Sequence, residues 1–210
     1  MQLRDLRRQI RHRLFAMTIL MAAFFVSFIA SPPHSHASDK SKGNKVDTTI
    51  ITKMKRIGNR EFAVGEIVID AKPIQVWNVL TDYENSPEVF KNLKSCSVVG
   101  IRGNRRLVRQ VVETVGFMKF DYIVSMLEKK PTNLSWYRDS GSLKELTGEW
   151  NLKPLAGGSK TSVTYQVFID GGVFFPSWLL TNKAKSHLPV VLTALKKKVH
   201  EHTASYSESE

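Results

Sequence analysis

The stretch that decides the fold is PSWLLTNKAKSHLPVVLTALKKKVH, residues 176–200. Its apolar residues recur at steps of three and four, which places them on one side of an α-helix: Leu180, Ala184, Leu188, Val191, Leu192, Leu195 and Val199. The lysines fall mostly off this stripe, so the other side of the helix meets water. Pro189 removes one internal hydrogen bond, and we expect a kink or a short break near His187. The apolar side needs cover, which only strands elsewhere in the chain can supply.

Upstream of this helix, the pattern is that of strands joined by short turns. Alternation from Arg60 predicts a long first strand, and Pro73 predicts a helix start, with two short helices over 74–80 and 87–93. Six further extended segments follow, closed by turn residues: 94–101, 105–115, 119–129, 134–139, 143–153 and 160–170. Short connections of this kind join antiparallel neighbours. We therefore predict an α+β fold in which a bent, seven-stranded antiparallel sheet wraps around the long C-terminal helix.

The N-terminal 37 residues have the three parts of an export signal. A basic head precedes the uncharged apolar run Leu14–Ala30, and Ser35 and Ala37 form a small-residue cleavage site. We expect cleavage after Ala37 and an exported or periplasmic protein; the alternative is a retained membrane anchor through residues 14–30. The predicted organisation is a signal or anchor over 1–37, a flexible tether over 38–59, a folded domain over 60–203 and a disordered tail over 204–210.

The charge balance restricts the partners. The chain carries 31 Lys and Arg against 19 Asp and Glu, a formal net charge of +12. A basic exported domain can dwell near an anionic membrane surface, although a merely solvated basic surface is the commoner explanation. No nucleic-acid-binding motif is present, so we expect no nucleic-acid partner. Cys96 is the only cysteine, which excludes an internal disulfide, and we expect a monomer.

Several sequence phrases, taken in order, resemble one superfamily. The segment Lys72–Asn85, KPIQVWNVLTDYEN, is similar to the opening of the START-like, or SRPBCC, superfamily in its polyketide cyclase and coenzyme Q-binding branch. Further phrases resemble that branch at matching places: Asn133–Trp136, Gly148–Pro154, Thr161–Tyr165, and Leu188-Pro189 followed by Leu192 and Leu195. The resemblance implies a helix-grip fold that encloses an elongated cavity for an apolar ligand. It does not imply one chemistry, because the superfamily includes lipid carriers, quinone-binding proteins and aromatic cyclases.

The sequence lacks the motifs of metal-dependent or covalent catalysis. The histidines after residue 37 are His187, His200 and His202, in or just after the last helix, and no His-Glu-x-x-His spacing occurs. No Gly-x-Ser-x-Gly elbow is present, and the neighbours of Cys96 favour a packed thiol. We therefore predict no metal, no cofactor and no catalytic residue.

The aromatic residues are the richer signal, although most of them must simply fill the core. The predicted cavity wall combines aromatic residues that share a strand face with other apolar residues, two leucines of the last helix and two arginines of the strands. These residues are Tyr122, Trp136, Trp150, Tyr165, Leu188, Leu192, Arg109 and Arg138. An inward-pointing arginine could hold a polar or anionic head group, whereas an outward-pointing one would be solvated. Alternation alone leaves both orientations open.

Two loops combine glycines with apolar residues, 116–118 and 171–176. We predict that Phe117, Phe174 and Phe175 gate the cavity entrance; the alternative is a hydrophobic plug over the end of the sheet.

These observations predict a protein that binds or transports a hydrophobic small molecule, a lipid or an isoprenoid quinone, without transforming it. The first alternative is a cyclase or dehydrase acting on a polyketide-like or aromatic substrate, with Arg109, Glu113 and Tyr122 guiding proton transfer. The second is a basic protein that docks on anionic membranes.

Overall fold

Eight strands and three α-helices make up residues 49–113, 118–173 and 175–207, the part of the chain that the computed structural model describes. All of these residues belong to one compact unit, Val46–Glu210. In chain order the elements are β1 (Ile51–Ile57), β2 (Arg60–Ile69), α1 (Pro73–Thr81), α2 (Ser86–Val89), β3 (Leu93–Arg102), β4 (Arg105–Glu113), β5 (Lys119–Lys129), β6 (Asn133–Gly141), β7 (Glu145–Leu155), β8 (Lys160–Asp170) and α3 (Ser177–Ser207).

The strands form a single antiparallel sheet in the order β1-β2-β8-β7-β6-β5-β4-β3. Strands β3 to β8 follow one another as a meander, and β8 returns to pair with β2, so that Gly65 lies opposite Tyr165. The long helix α3 follows directly. The predicted α+β architecture, a large antiparallel sheet with a long C-terminal helix, is confirmed.

The sheet has one strand more than the seven predicted. The extra strand, β1, lies inside the segment 38–59 that we predicted to be a tether, so the folded domain begins before residue 60. Its sequence, ITKMKRI, contains three basic residues, so the apolar alternation typical of a strand is hard to recognise. Gly58 in the turn to β2 has the positive φ of +60° that tight hairpins favour. The C-terminal boundary is also displaced, because α3 runs to Ser207 and enters the predicted tail.

Helix α3 turns its predicted apolar stripe towards the sheet. Leu188, Leu192, Leu195 and Val199 are fully buried in the main core, and Ala184 and Val191 pack against it. The helix is continuous through Pro189, so the predicted short break is absent. Burial of the stripe on the sheet supplies the stability that lets the helix run on past the missing hydrogen bond.

Close contact between α3 and the sheet depends on a glycine in β2. A Cβ at Gly65 would lie 2.9 Å from Leu192 Cδ1 and 3.3 Å from Leu188 Cβ. Cα atoms of α3 approach those of β1, β2 and β8 within 8 Å at several positions, and few or none of the described Cα atoms of β3–β7 come as close. The helix therefore grips one half of the sheet and leaves its backbone separated from the other half.

Helices α1 and α2 cover part of the gap at one end. Helix α1 begins with Pro73, and the backbone N–H of Lys72 donates to Gln75 Oε1 at 2.8 Å. Its residues Val76 and Trp77 are buried in the same core as α3. After α1, the chain brings the Tyr83 hydroxyl to Glu128 on β5, where it donates to Oε1 at 2.8 Å.

Candidate ligand-binding site

Alternate residues of the strands point to the side that faces α3, here called the inner face, and the others point to the outer face. Register places Val108, Val124 and Met126, all buried in the core with α3, on the inner face of β4 and β5. The candidate site is the inner face of β4–β7, which the backbone of α3 does not closely approach, together with Tyr165 on the adjoining strand β8.

Three of the predicted wall residues meet in one aromatic stack. The rings of Trp150 and Tyr165 lie 4.1 Å apart between centroids with an interplanar angle of 20°. The ring of Trp136 stacks on Tyr165 at 5.9 Å and 27°. These side chains come from three adjacent strands, β6, β7 and β8, because the register sets Trp150 opposite both Leu134 and Tyr165. They form a continuous aromatic surface on the inner face.

A glycine makes room for this surface. Gly148 lies opposite Trp136 in the register, and a Cβ at Gly148 would lie only 2.6 Å from both Trp136 Cζ2 and the carbonyl oxygen of Gln166. The Trp136 indole therefore lies flat over the backbone of β7, which no other residue type would permit without movement.

Tyr122, on the inner face of β5, is only 8% exposed. No hydrogen bond joins its hydroxyl to any described residue, and this oxygen is not among the buried polar atoms shut off from solvent. The hydroxyl is therefore unpartnered and keeps a small solvent-accessible surface. Burial raises the pKa of Tyr122 and of Tyr165 well above the ordinary value of a phenol. Both side chains remain protonated at neutral pH and can donate a hydrogen bond.

The two predicted arginines lie on opposite faces. Arg138 is on the inner face of β6, opposite the fully buried Val124. Arg109 lies on the outer face of β4, where its Nε and Nη2 donate to the two carboxylate oxygens of Asp121 at 2.9 and 2.6 Å. Hydrogen bonding between Arg109 and Asp121 raises the pKa of the guanidinium and lowers that of the carboxyl. The assignment of Arg109 to the cavity wall is therefore wrong, because its charge is satisfied outside.

The helix leucines of the predicted wall, Leu188 and Leu192, have no free surface. Both are fully buried and lie against Gly65 of β2. They hold α3 on the sheet at the edge of the site.

The two ends of the site are closed differently. At one end, Glu128 accepts from Tyr83 and forms an ion pair with Arg106 Nε at 2.7 Å. Burial raises the pKa of Tyr83 above its ordinary range, and the hydrogen bond to Glu128 adds to the rise, so this end is held by a neutral phenol. At the other end, the loop before α3 brings Phe175 to Phe120 of β5, with the rings edge to face at 5.9 Å. The other predicted gate residues, Phe117 and Phe174, lie outside the described residues.

Sequence reasoning missed two polar contacts at the Phe120 end. Asn92 Nδ2 lies 3.1 Å from His187 Nε2, a contact across 95 positions that no local pattern could reveal. On the inner face, Gln110 is opposite Cys96 and its amide nitrogen lies 3.8 Å from the sulfur. Burial raises the pKa of Cys96 to about 11, which leaves an unreactive thiol at neutral pH.

The described part of the chain has neither a cluster of metal ligands nor a helix that could span a membrane. No group of three or more His, Cys, Asp or Glu side chains there is arranged to hold a metal ion. Among the same residues, no helix has both the length and the hydropathy needed to cross a membrane. A separate shallow hollow between α1, α2 and α3, lined by residues such as Asp82 and Lys198, is partly open to solvent and has room for about one water molecule.

Exposed apolar side chains lie near the Phe175 end of the site. Val173, in the loop before α3, is 94% exposed, and Trp178, in the first turn of α3, is 65% exposed. The base of this loop is fixed by Asp170, whose Oδ1 accepts from the backbone N–H of Gly172 at 2.8 Å, and by Lys144, which pairs with Asp170 at 3.0 Å. This surface, defined by Val173 and Trp178, is called the rim.

Comparison with protein families gave a match over most of the described domain. The model for "Polyketide cyclase / dehydrase and lipid transport" matches residues 69–196, from the end of β2 into the C-terminal half of α3. This is more than half of the chain. A search of curated protein sequences gave no match.

Solved structures share the fold at low sequence identity. A START superfamily protein from Mycobacterium smegmatis has a TM-score of 0.59 and 15% identity, over 67% of this chain and 97% of that one. The Zhui aromatase/cyclase from Streptomyces sp. R1128 has a TM-score of 0.59 and 13% identity, over 68% and 94% of the two chains. A STAR-related lipid transfer protein from Xanthomonas axonopodis has a TM-score of 0.57 and 16% identity, over 78% and 97%. The fold is compatible with hydrophobic-ligand binding and with cyclase chemistry.

Proposed function

Because this chain belongs to the polyketide cyclase/dehydrase and lipid transport family, we propose that it binds a hydrophobic small molecule, a lipid or an isoprenoid quinone, without transforming it. The proposed binding space lies between α3 and the inner face of β4–β8. Trp136, Trp150 and Tyr165 supply an apolar platform, and Arg138 and Tyr122 supply polar contacts beside it.

The observation that carries this proposal is the Tyr122 hydroxyl. A buried hydroxyl without a partner costs free energy unless water or a ligand satisfies it. The Tyr122 side chain is only 8% exposed. Its hydroxyl has no hydrogen-bond partner among the described residues and is not completely shut off from solvent. Its surroundings on the inner face are apolar residues of the core, such as Val124 and Phe120. An unpartnered donor among apolar side chains suits a mostly apolar ligand with one polar group.

Binding is favoured over catalysis by the positions of the side chains that the cyclase alternative requires for proton transfer. Arg109 is paired with Asp121, and Glu113 lies 3.4 Å from Lys94, both on the outer face. Tyr122 alone remains on the inner face, and its raised pKa makes it a poor base at neutral pH. A cyclase would have to use other residues of the site.

The rim supports a membrane surface as the place where ligand is exchanged. Tryptophan prefers the membrane interface, and Val173, five residues earlier in the chain than Trp178, is almost fully exposed. The net charge of +12 favours an anionic bilayer. An exported protein, or one tethered through residues 14–30, would meet such a surface, and this location is part of the proposal; the signal residues lie outside the described part of the chain.

Native mass spectrometry of the full chain, purified from membranes and followed by solvent extraction, tests the binding proposal. We expect one lipid or quinone to travel with the protein at near-equal stoichiometry. A chain that is isolated bare, and that then takes up nothing from a panel of lipids and quinones, would refute it.

The membrane proposal predicts that Trp178→Ser weakens binding to vesicles of phosphatidylcholine and phosphatidylglycerol at least several-fold, because an interfacial anchor is lost. Tyr137→Ser, which removes a 44%-exposed aromatic from the middle of β6, is the matched control and should have little effect. Sedimentation with vesicles measures both. Equal vesicle binding by the two variants would show that the rim does not contact the membrane.

A further inference from the structure

The inner face has an uneven charge balance. On β3–β8, the charged side chains that point inward are Arg106, Glu128 and Arg138. Arg106 and Glu128 neutralise each other through the ion pair at the Tyr83 end. Arg138 forms no ion pair with any described carboxylate. The inner face of these strands therefore carries one positive charge without a counter-ion.

The hydrogen bonding of Arg138 is also incomplete. Its Nη2 donates to the carbonyl oxygen of Gly141 at 2.9 Å, which fixes the guanidinium near the end of β6. Its Nε is buried and has no hydrogen-bond partner. Its register neighbour is Val124, and Trp136 lies two residues along the same face. A buried donor on a charged group in such surroundings is unfavourable unless an acceptor arrives from outside.

The position of Arg138 suits the polar end of a long molecule. It is the last inward side chain of β6, which ends at Gly141, opposite Tyr122 and beyond a bulge in the register, just before the turn to β7. Trp136 and Leu134 continue the same face away from this turn, and Leu134 is about 13 Å from Arg138 along the strand. A head group at Arg138 would therefore lie beside Tyr122, and a tail could run over the aromatic stack.

From this geometry we propose that Arg138 is the head-group site for an acidic amphiphile, with a carboxylate or phosphate on the guanidinium and an apolar tail over Trp136, Trp150 and Tyr165. The inference rests on the proposed function, because it names the class of ligand for the same site. Guanidinium groups bind carboxylate and phosphate through paired N–H donors, and charge-assisted hydrogen bonds are the strong ones. A neutral quinone would leave the charge of Arg138 uncompensated.

The test is displacement of the neutral fluorophore N-phenyl-1-naphthylamine from the full chain by four twelve-carbon compounds: dodecanoate, dodecyl phosphate, dodecanol and dodecylamine. For the wild type we expect at least one of the two acids to displace the fluorophore at roughly tenfold lower concentration than dodecanol. The acid that does so identifies a free carboxylic acid or a lipid phosphate as the source. Dodecylamine should be the weakest competitor.

Substitution at Arg138 isolates the contribution of its charge. In Arg138→Met the preference for acid over dodecanol should fall to near unity, and Arg138→Lys should keep part of it. Arg109→Met is the matched control, because that arginine is paired with Asp121 on the outer face, and its acid preference should equal that of the wild type.

The outcomes separate this inference from the function on which it rests. No uptake of the fluorophore by the wild type would refute the proposed binding function itself. Uptake followed by equal displacement by acids and dodecanol would overturn the acidic head group alone. An acid preference that survives in Arg138→Met would equally overturn it. If Arg138→Met fails to fold, the comparison of acid, alcohol and amine on the wild type still decides.

Discussion

At the scale of single residues, the packing around the site depends on two glycines, because the absence of a side chain makes room for a neighbouring residue. Gly65 lets Leu188 and Leu192 lie against β2, and Gly148 lets the Trp136 indole lie over β7. Both glycines sit in strand interiors, where glycine is usually unfavourable by about 0.5–1 kcal/mol. The close approach of a neighbouring side chain explains their presence in each case.

Gly148→Ala should destabilise the fold by about 1–3 kcal/mol, because a Cβ would meet Trp136 and the Gln166 carbonyl oxygen at 2.6 Å. Gly100→Ala is the control, since its Cβ would lie 3.7 Å from Leu107 Cδ1, an ordinary contact. It should be neutral or slightly stabilising. Urea denaturation of the two variants measures the difference, and similar midpoints for both would contradict the packing described for Trp136.

Cys96 provides a residue-scale test of burial. Because burial raises its pKa to about 11, the thiolate is scarce at pH 8, and alkylation by iodoacetamide should be at least roughly 100-fold slower than for a free thiol of pKa about 8.5. The rate should rise with pH up to about 11 and become fast in denaturant. Rapid alkylation of the native protein at pH 8 would show that the thiol is accessible.

At the scale of elements, sequence reasoning succeeded where periodicity was strong and failed where it was ambiguous. The stripe of α3 is regular enough to identify its buried side, and the turn residues delimit strands β2–β8. Strand β1 was missed because this edge strand contains three basic residues among seven, Lys53, Lys55 and Arg56, which looks like a polar tether. The faces of Arg109 and Arg138 could not be chosen, because alternation gives two faces and pairing with Asp121 is visible only in three dimensions.

The packing of α3 predicts unequal effects along its length. Leu192→Ala should lower the free energy of unfolding by about 2–5 kcal/mol, because it opens a cavity against Gly65. Val190→Ala, at a position that is 55% exposed on the same helix, should change it by less than about 0.5 kcal/mol. Chemical denaturation measures both. Comparable losses would mean that α3 does not present the described side to the sheet.

At the scale of the whole molecule, the domain is a sheet whose half formed by β1, β2 and β8 is held closely by α3, while the backbone of α3 stays farther from the other half. The Tyr83–Glu128–Arg106 contacts lie at one end, and the contact between the rings of Phe120 and Phe175 lies at the other. The proposed ligand site lies on the half of the sheet that is farther from the backbone of α3. The family resemblance in the sequence predicted the architecture. Which polar side chains face α3 could be determined only from the pairing register of the strands.

Acid should loosen the loop end of the domain. The hydrogen bond from the Gly172 backbone N–H and, to a smaller extent, the interaction with Lys144 lower the pKa of Asp170 in the folded state below its unfolded value of about 3.9. The stabilisation is therefore complete above about pH 4 and is lost as the pH falls through the lower, folded pKa. Asp170→Asn should cost about 0.5–1.5 kcal/mol at pH 7 and less near pH 2. A difference that is independent of pH in urea titrations would contradict this linkage.

The most direct test of ligand binding between α3 and the inner face of β4–β8 is tryptophan quenching by 9,10-dibromostearate in the full chain carrying Trp178→Phe. This substitution removes the exposed tryptophan and leaves Trp77, Trp136 and Trp150, all buried. We predict quenching that saturates at a one-to-one ratio, is reversed by unbrominated stearate and is reduced when Trp150→Phe is added. Fluorescence that is unaffected by the brominated acid, or quenching that is unchanged by the loss of Trp150, would contradict the account.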